Sequence, residues 1–216
     1  DNWKTFALDP ESIEATIYVE WEKLLQKKVY ELAVPDTAKK YLRSIPTKLL
    51  TDWLITPPPF FGVNPVDARD ALLSNSLAEA VNLLKTRLGE DLSKWHYGQE
   101  KNKHITLTHA LSSWVEDATL LKKINLGPII RGGYGETVNN TSNNLNQSHG
   151  ASFKIIVDTE NWDRTLGINS PGQSGDPRSK HYSDLFNLWG SGGYFPVYFS
   201  KSKIMAVAEK KLILEP

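Results

Sequence analysis

The chain has 216 residues, 40% hydrophobic and 23% charged, with 25 Lys+Arg against 25 Asp+Glu; it is long enough to bury a core, too apolar to stay disordered, and carries no net charge to attract nucleic acid or an anionic membrane. The absence of cysteine excludes disulfides, thiolate catalysis and Cys-ligated metals, and no uninterrupted apolar stretch is long enough to cross a bilayer. A small molecule or a protein is the ligand this composition favours.

The opening Asp1-Asn2-Trp3 has neither an initiator Met nor the basic and apolar regions of a signal peptide, and reads as the end of a processed or cut chain. Asp9-Pro10-Glu11 is a helix start. Ile13, Ile17, Tyr18, Trp21, Leu24, Leu25 and Tyr30 follow at near-helical spacing, with Glu14, Glu22, Lys23, Lys27 and Lys28 on a wetter face, which predicts one amphipathic helix over 10–31. A weaker helical segment begins after Pro35-Asp36, is interrupted at Pro46, and stops before Pro57-Pro58-Pro59, so residues 56–64 are a loop. The clearest helix spans 65–88, from Asn64-Pro65 to a glycine cap at Gly89, with Ala68, Leu72, Leu73, Leu77, Ala80, Val81, Leu84 and Leu88 as its apolar face.

After this the pattern changes period. Ile105–Thr108 alternates like a strand, Phe153–Val157 is rich in β-formers, and Ile204–Val207 and Leu212–Leu214 are further short strand candidates. Residues 131–150 hold most of the Gly and Asn and predict an irregular surface segment. With no internal repeat and no clear linker, the chain reads as a single mixed α+β unit over 1–216, mainly helical over 1–125 and built of loops and short, mostly antiparallel strands over 126–216.

Several residues invite a chemical reading. Ser174 lies near His181 and Asp184, yet Pro171 and Pro177 predict an irregular turn, and the spacing is not that of a strand-to-helix nucleophile elbow. A turn serine with His181 and Asp184 tying the loop to the core is the better reading. His96, His104 and His109 are poorly spaced for a metal, and no carboxylate completes a set. Gly132-Gly133-Tyr134-Gly135 lacks the Lys-Ser/Thr ending of a phosphate loop. The sequons at Asn139-Asn140-Thr141 and Asn146-Gln147-Ser148 are what an Asn-rich loop generates by chance. Seven tryptophans, widely scattered, predict burial in core and interfaces rather than a sugar-binding surface.

One set of ordered motifs is specific. It runs from Asp70-Ala71-Leu72-Leu73-Ser74-Asn75-Ser76 through Leu88-Gly89-Glu90-Asp91-Leu92-Ser93-Lys94-Trp95-His96-Tyr97-Gly98 and Lys103-His104-Ile105-Thr106-Leu107-Thr108-His109 to Gly132-Gly133-Tyr134-Gly135-Glu136-Thr137-Val138-Asn139. It ends in Ile155-Ile156-Val157-Asp158, Asn161-Trp162-Asp163 and Pro171-Gly172-Gln173-Ser174-Gly175-Asp176-Pro177-Arg178-Ser179-Lys180-His181-Tyr182-Ser183-Asp184, followed by Trp189, Gly193-Tyr194 and Pro196. Over about residues 65–207 the chain resembles the C-terminal part of the β chain of the penicillin amidase family, which includes acyl-homoserine-lactone acylases. Tyr134, Leu185 and a longer turn after Gly98 depart from the family pattern and bear on substrate details.

The resemblance implies the C-terminal part of an N-terminal-nucleophile hydrolase αββα sandwich and an enzyme that hydrolyses the amide bond of N-acyl compounds, β-lactam side chains or N-acyl homoserine lactones. In that family a serine freed by self-cleavage attacks the carbonyl, its own α-amino group is the base, and a backbone N–H and an Asn side chain hold the oxyanion. By the resemblance these groups lie upstream, so no catalytic, cofactor-binding or metal-binding residue is expected in this chain, and Asp1 cannot replace the serine. A calcium ion of the complete enzyme would likewise be held elsewhere. The expected partners are the remaining α and N-terminal β segments of the same precursor, with a small N-acyl substrate in the assembled enzyme; the expected location is periplasmic or secreted. The competing reading is a non-enzymatic module whose Gly/Asn loop and aromatics bind a small molecule or protein.

Overall fold

The computed structural model describes residues 3–135 and 137–214; Asp1, Asn2 and Glu136 of the Gly-rich motif lie outside the described residues. The chain divides into two compact units, Asp1–Asn102 and Lys103–Pro216.

The first unit is helical. Helix α1 spans Ile13–Ala33, and Ser12 caps it, its side chain accepting from the Ala15 N–H, so the cap falls just after the Asp-Pro-Glu start signal. The buried stripe of α1 is Ala15, Val19, Glu22, Leu25 and Val29. That stripe is rotated from the aromatic face read from the sequence, because Tyr18 stands at the surface while Glu22 is buried and accepts from Gln26 at 3.2 Å. The weaker helical region resolves into α2 (Asp36–Lys39) and α3 (Thr47–Ile55), separated at Pro46 as the sequence predicts, with a 3-10 turn at Pro59–Phe61 inside the proline loop.

Helix α4 runs Pro65–Leu88, and Gly89 follows it at φ 94°. It packs along α1, burying Ser76, Ala80 and Leu84; removing the Leu84 side chain from water contributes about 1.5–3 kcal/mol. Ser76 takes a place on this face because its hydroxyl accepts from Trp21 Nε1 at 3.0 Å and donates to the Leu73 carbonyl, whereas Leu77, expected inside, is 40% exposed. Leu25, Val29, Leu50 and Phe61 form the core, with Trp21, Trp53, Phe60, Ala68 and Leu72 against them. The aromatic-Gly turn closes the unit. Trp95 and Tyr97 are fully buried, and the Thr16 hydroxyl donates to the Trp95 carbonyl at 2.8 Å.

The second unit has two small antiparallel sheets. Strand β1 (Ile105–Leu107) pairs with β2 (Leu126–Ile129), and β3 (Lys154–Ile156), β4 (Leu166–Ile168) and β5 (Phe195–Pro196) form the other in that order. Short helices α5 (Ala118–Ile124), α6 (Phe186–Gly190) and α7 (Lys201–Val207) complete it. Ile105, Ile168, Phe186 and Trp189 make its core. Two expected strands are corrected. Ile204–Val207 lies in α7, where the Ser200 side chain accepts from the Lys203 N–H and starts a helix that the β-propensity of Ile and Val does not prevent. Leu212–Leu214 forms no regular structure and is exposed. Trp95 and Trp189 are buried in the core, whereas Trp114 and Trp162 stand at the surface of this chain. The architecture is mixed α+β with small antiparallel sheets.

Candidate functional site

The Gly/Asn-rich segment is irregular, as its composition predicts, and much of it is exposed, but part of it reaches the interior. Arg131, Gly133, Tyr134, Thr141 and Gln147 are buried within it. Backbone without a ladder must find other partners when buried, and side-chain amides supply them. Gln147 Nε2 donates to the Gly133 carbonyl at 2.8 Å and to Thr141 Oγ1 at 2.7 Å. Asn146 exchanges both amide ends with the Thr106 backbone, at 2.9 and 3.0 Å, standing in for a strand neighbour of β1. Lys103 Nζ donates to the Asn143 and Asn144 carbonyls. Side-chain amides and Lys103 thus hold the buried part of the segment in place.

Its Thr137-Val138-Asn139 end borders an open cleft of about 400 Å³ lined by Val138, Asn139, Lys154, Ile155, Ile156, Gly192 and Tyr194. Gly133 makes this approach feasible. Its φ is +86°, and a β-carbon there would collide with the Asn139 carbonyl and lie 3.1 Å from Asn139 Cβ. Asn139 is half-buried. Its Oδ1 accepts from Arg131 Nη2 and, at 3.4 Å, from Lys154 Nζ, while its Nδ2 donates to the Gly132 carbonyl at 3.1 Å. A carboxamide nitrogen carries two N–H groups, and among the described residues one of them has no partner.

The electrostatics are one-sided. Arg131 is 1% exposed, with its guanidinium carbon 4.2 Å from the centroid of the Trp189 ring, and burial pushes its pKa down to about 10. Lys154, with Nζ 5.2 Å from the Tyr194 ring centroid, is lowered by burial first and by the Arg131 charge second. No carboxylate is among the described residues that line the cleft. Among the described residues, the partially negative Asn139 Oδ1 is the acceptor that both cations share.

The residues singled out in the sequence behave otherwise. Ser174 Oγ accepts from the Asp176 N–H at 3.1 Å, and the Gln173 and Ser174 N–H groups donate to the His181 carbonyl at 2.8 and 3.0 Å. The His181 ring turns to Asp184, at 2.7 Å, on the surface. The serine is thus a turn residue, as expected, but His181 and Asp184 do not tie the loop to the core. Tyr182 does so, donating to the Ile124 carbonyl at 2.7 Å. His96 lies beside Glu11, and His109 Nδ1 accepts from the Leu111 N–H. Among the described residues no three His, Asp or Glu side chains are grouped to hold a metal. The functional sense of Arg131 and Lys154 escaped the sequence reading; the signal available was a single cation directly after the apolar run Pro128–Ile130 and another inside Phe153–Val157.

Comparison with known proteins places the chain. A profile described as penicillin amidase matches residues 1–206. The acyl-homoserine lactone acylase QuiP of Pseudomonas aeruginosa is 27% identical over 160 residues, covering 68% of this chain and 19% of that protein. The penicillin acylase 2 proenzyme of Pseudomonas sp. strain SE83 is 30% identical over 155 residues, covering 68% and 18%. The chain therefore spans about a fifth of the length of the curated relatives it matches. The thermostable penicillin G acylase from Alcaligenes faecalis shares the fold, with a TM-score of 0.50 and 17% identity over 95% of this chain and 39% of that one. On the match over residues 1–206, this chain belongs to the penicillin amidase family.

Proposed function

We propose that this chain is the C-terminal part of an amide hydrolase acting on N-acyl compounds, with the nucleophilic serine supplied by sequence outside these 216 residues. The observation that carries the reading is the Asn139 carboxamide, anchored at its oxygen by two cations and bordering the cleft with one N–H to spare. Amide hydrolysis needs that arrangement. When a hydroxyl oxygen attacks the acyl carbon, the carbonyl electrons move onto oxygen, and a fixed donor there lowers the barrier. The tetrahedral adduct then collapses, expelling the amine, and water releases the acid from the acyl-enzyme. The resemblance put all oxyanion donors upstream; the Asn139 geometry supports placing one of them within this chain. The two sheets of the second unit would hold that donor against the segment carrying the serine. A calcium ion, where the complete enzyme binds one, is assigned to ligands outside this chain, and the parent enzyme to the periplasm or exterior.

The test is hydrolysis of an aryl-acetyl amide and a fatty-acyl homoserine lactone by the full-length protein carrying this sequence. Asn139→Ala should lower kcat by about 10²–10³-fold. Strong turnover by the isolated 216-residue chain, abolished by Ser174→Ala, would overturn the reading.

A further inference from the structure

The buried guanidinium of Arg131 has a structural oddity. Its Nη2 donates to Asn139 Oδ1, but Nε and Nη1 have no hydrogen-bond partner among the described residues. Desolvating a cation and leaving two donors unmet is unfavourable, and an apolar side chain of similar size would pack on Trp189 at lower cost. Trp189 itself is fixed, its Nε1 donating to the Ala151 carbonyl at 2.9 Å and its ring belonging to the Ile105–Ile168–Phe186 core. The arginine is therefore held rigidly, with one function visible in its contacts.

That function is directional. A carboxamide can turn over by 180° about its last bond, exchanging donor and acceptor ends. Were Asn139 to turn, its NH2 would face Arg131 Nη2 and Lys154 Nζ, donor against donor, and its oxygen would face the Gly132 carbonyl, acceptor against acceptor. Lys154 alone restrains this weakly, because its contact is 3.4 Å long, its stem flexible and its residue half-buried. We propose that Arg131 is a positioning residue, stacked on Trp189 and away from the substrate, which locks the Asn139 carboxamide with its oxygen inward and an N–H toward the cleft. The inference deepens the reading of Asn139 as an oxyanion donor and rests on it for its kinetic consequence. Its geometric content stands independently. Replacing the guanidinium removes the penalty on the turned carboxamide, so both orientations become populated and only one can donate.

The experiment uses the full-length protein with Arg131→Met, Arg131→Lys, Asn139→Ala and the Arg131→Met/Asn139→Ala double variant. The substrates are the same aryl-acetyl amide and fatty-acyl homoserine lactone. Arg131→Met should lower kcat by about 10–100-fold while KM moves less than about threefold, a loss confined to the transition state. Arg131→Lys, which keeps a donor, should recover part of it. In the Asn139→Ala background the same change should have no further effect, since residues acting through one group are non-additive. A crystal structure of Arg131→Lys, the gentler variant, supplies a readout that needs neither activity nor tolerance of methionine: Asn139 should be displaced or occupy two orientations. Equal losses from Arg131→Met in both backgrounds, undiminished kcat, or a single unshifted Asn139 orientation in the variant crystal would each overturn the proposal. An inactive wild-type protein would instead strike the functional reading, and the crystal structure alone would then decide the role of Arg131.

Discussion

Gly133 offers a sharp test of whether the site is built as described, because a matched control lies in the same unit. Both Gly133 (φ +86°) and Gly192 (φ +76°) occupy left-handed backbone, but a β-carbon at Gly192 would meet nothing within 4 Å, whereas at Gly133 it would meet the Asn139 carbonyl, Thr137 Oγ1 at 3.0 Å and Asn139 Cβ at 3.1 Å. Alanine in a left-handed position costs about 1–2 kcal/mol, partly offset by about 0.4–1 kcal/mol from a less mobile unfolded chain. Gly192→Ala should therefore destabilise by about 0–1.5 kcal/mol. Gly133→Ala adds forced repacking of about 1–3 kcal/mol, because the nearest atom, the Asn139 backbone carbonyl oxygen, cannot yield as the end of a side chain can. Its total should be about 1–4.5 kcal/mol. Urea denaturation of both variants under identical conditions reads the difference as a shift in midpoint at constant slope. Equal midpoints would refute the packing of Gly133 on Asn139, and with it the geometry that presents the carboxamide.

Four further outcomes follow from other contacts. Leu84→Ala, at a fully buried position on the α1–α4 face, should lose about 2–5 kcal/mol in the same denaturation assay. Lys154→Met removes a cation whose charged form burial disfavours, so the melting temperature should hold or rise while acylase turnover in the full-length protein falls; a marked drop in melting temperature would contradict it. Ser174→Ala deletes only the acceptor for the Asp176 N–H, so turnover should stay within about twofold and stability fall by about 1 kcal/mol. The Arg178 side chain, then its backbone N–H, holds Asp176 down to about 2. The folded pKa lies below the unfolded one, so this contribution is present above the usual aspartate value and is lost as pH falls through about 2. In Arg178→Ala a carboxyl NMR titration should find Asp176 moved back toward 3.8.

Much of the first unit is legible from local pattern. Pro65 and Gly89 bound α4 because one pre-sets the first turn and the other adopts a φ that side-chain-bearing residues avoid. The rotation of the buried stripe of α1 is not legible, since Tyr18 and Val19 are both plausible inward residues until α4 is in place; the burial of Ser76 goes with its bond to Trp21 across the helix pair. Strand candidates fared by context: Lys154–Ile156 pairs with β4, while Ile204–Val207, equally rich in β-formers, coils behind a serine cap.

By itself the sequence determined the family, through ordered motifs ending in Pro171–Asp184, the helix limits set by Pro and Gly, and the irregularity of residues 131–150. These are properties of local covalent geometry and of residue order. Only the tertiary structure decided which residues of the Gly/Asn segment are buried, and that Arg131, Asn139 and Lys154, spread over 24 positions of sequence, share one carboxamide oxygen. A hydrogen bond is set by distances of about 3 Å. Whether two cations reach one acceptor depends on where Trp189 and the sheets hold them, and sequence spacing carries no trace of that.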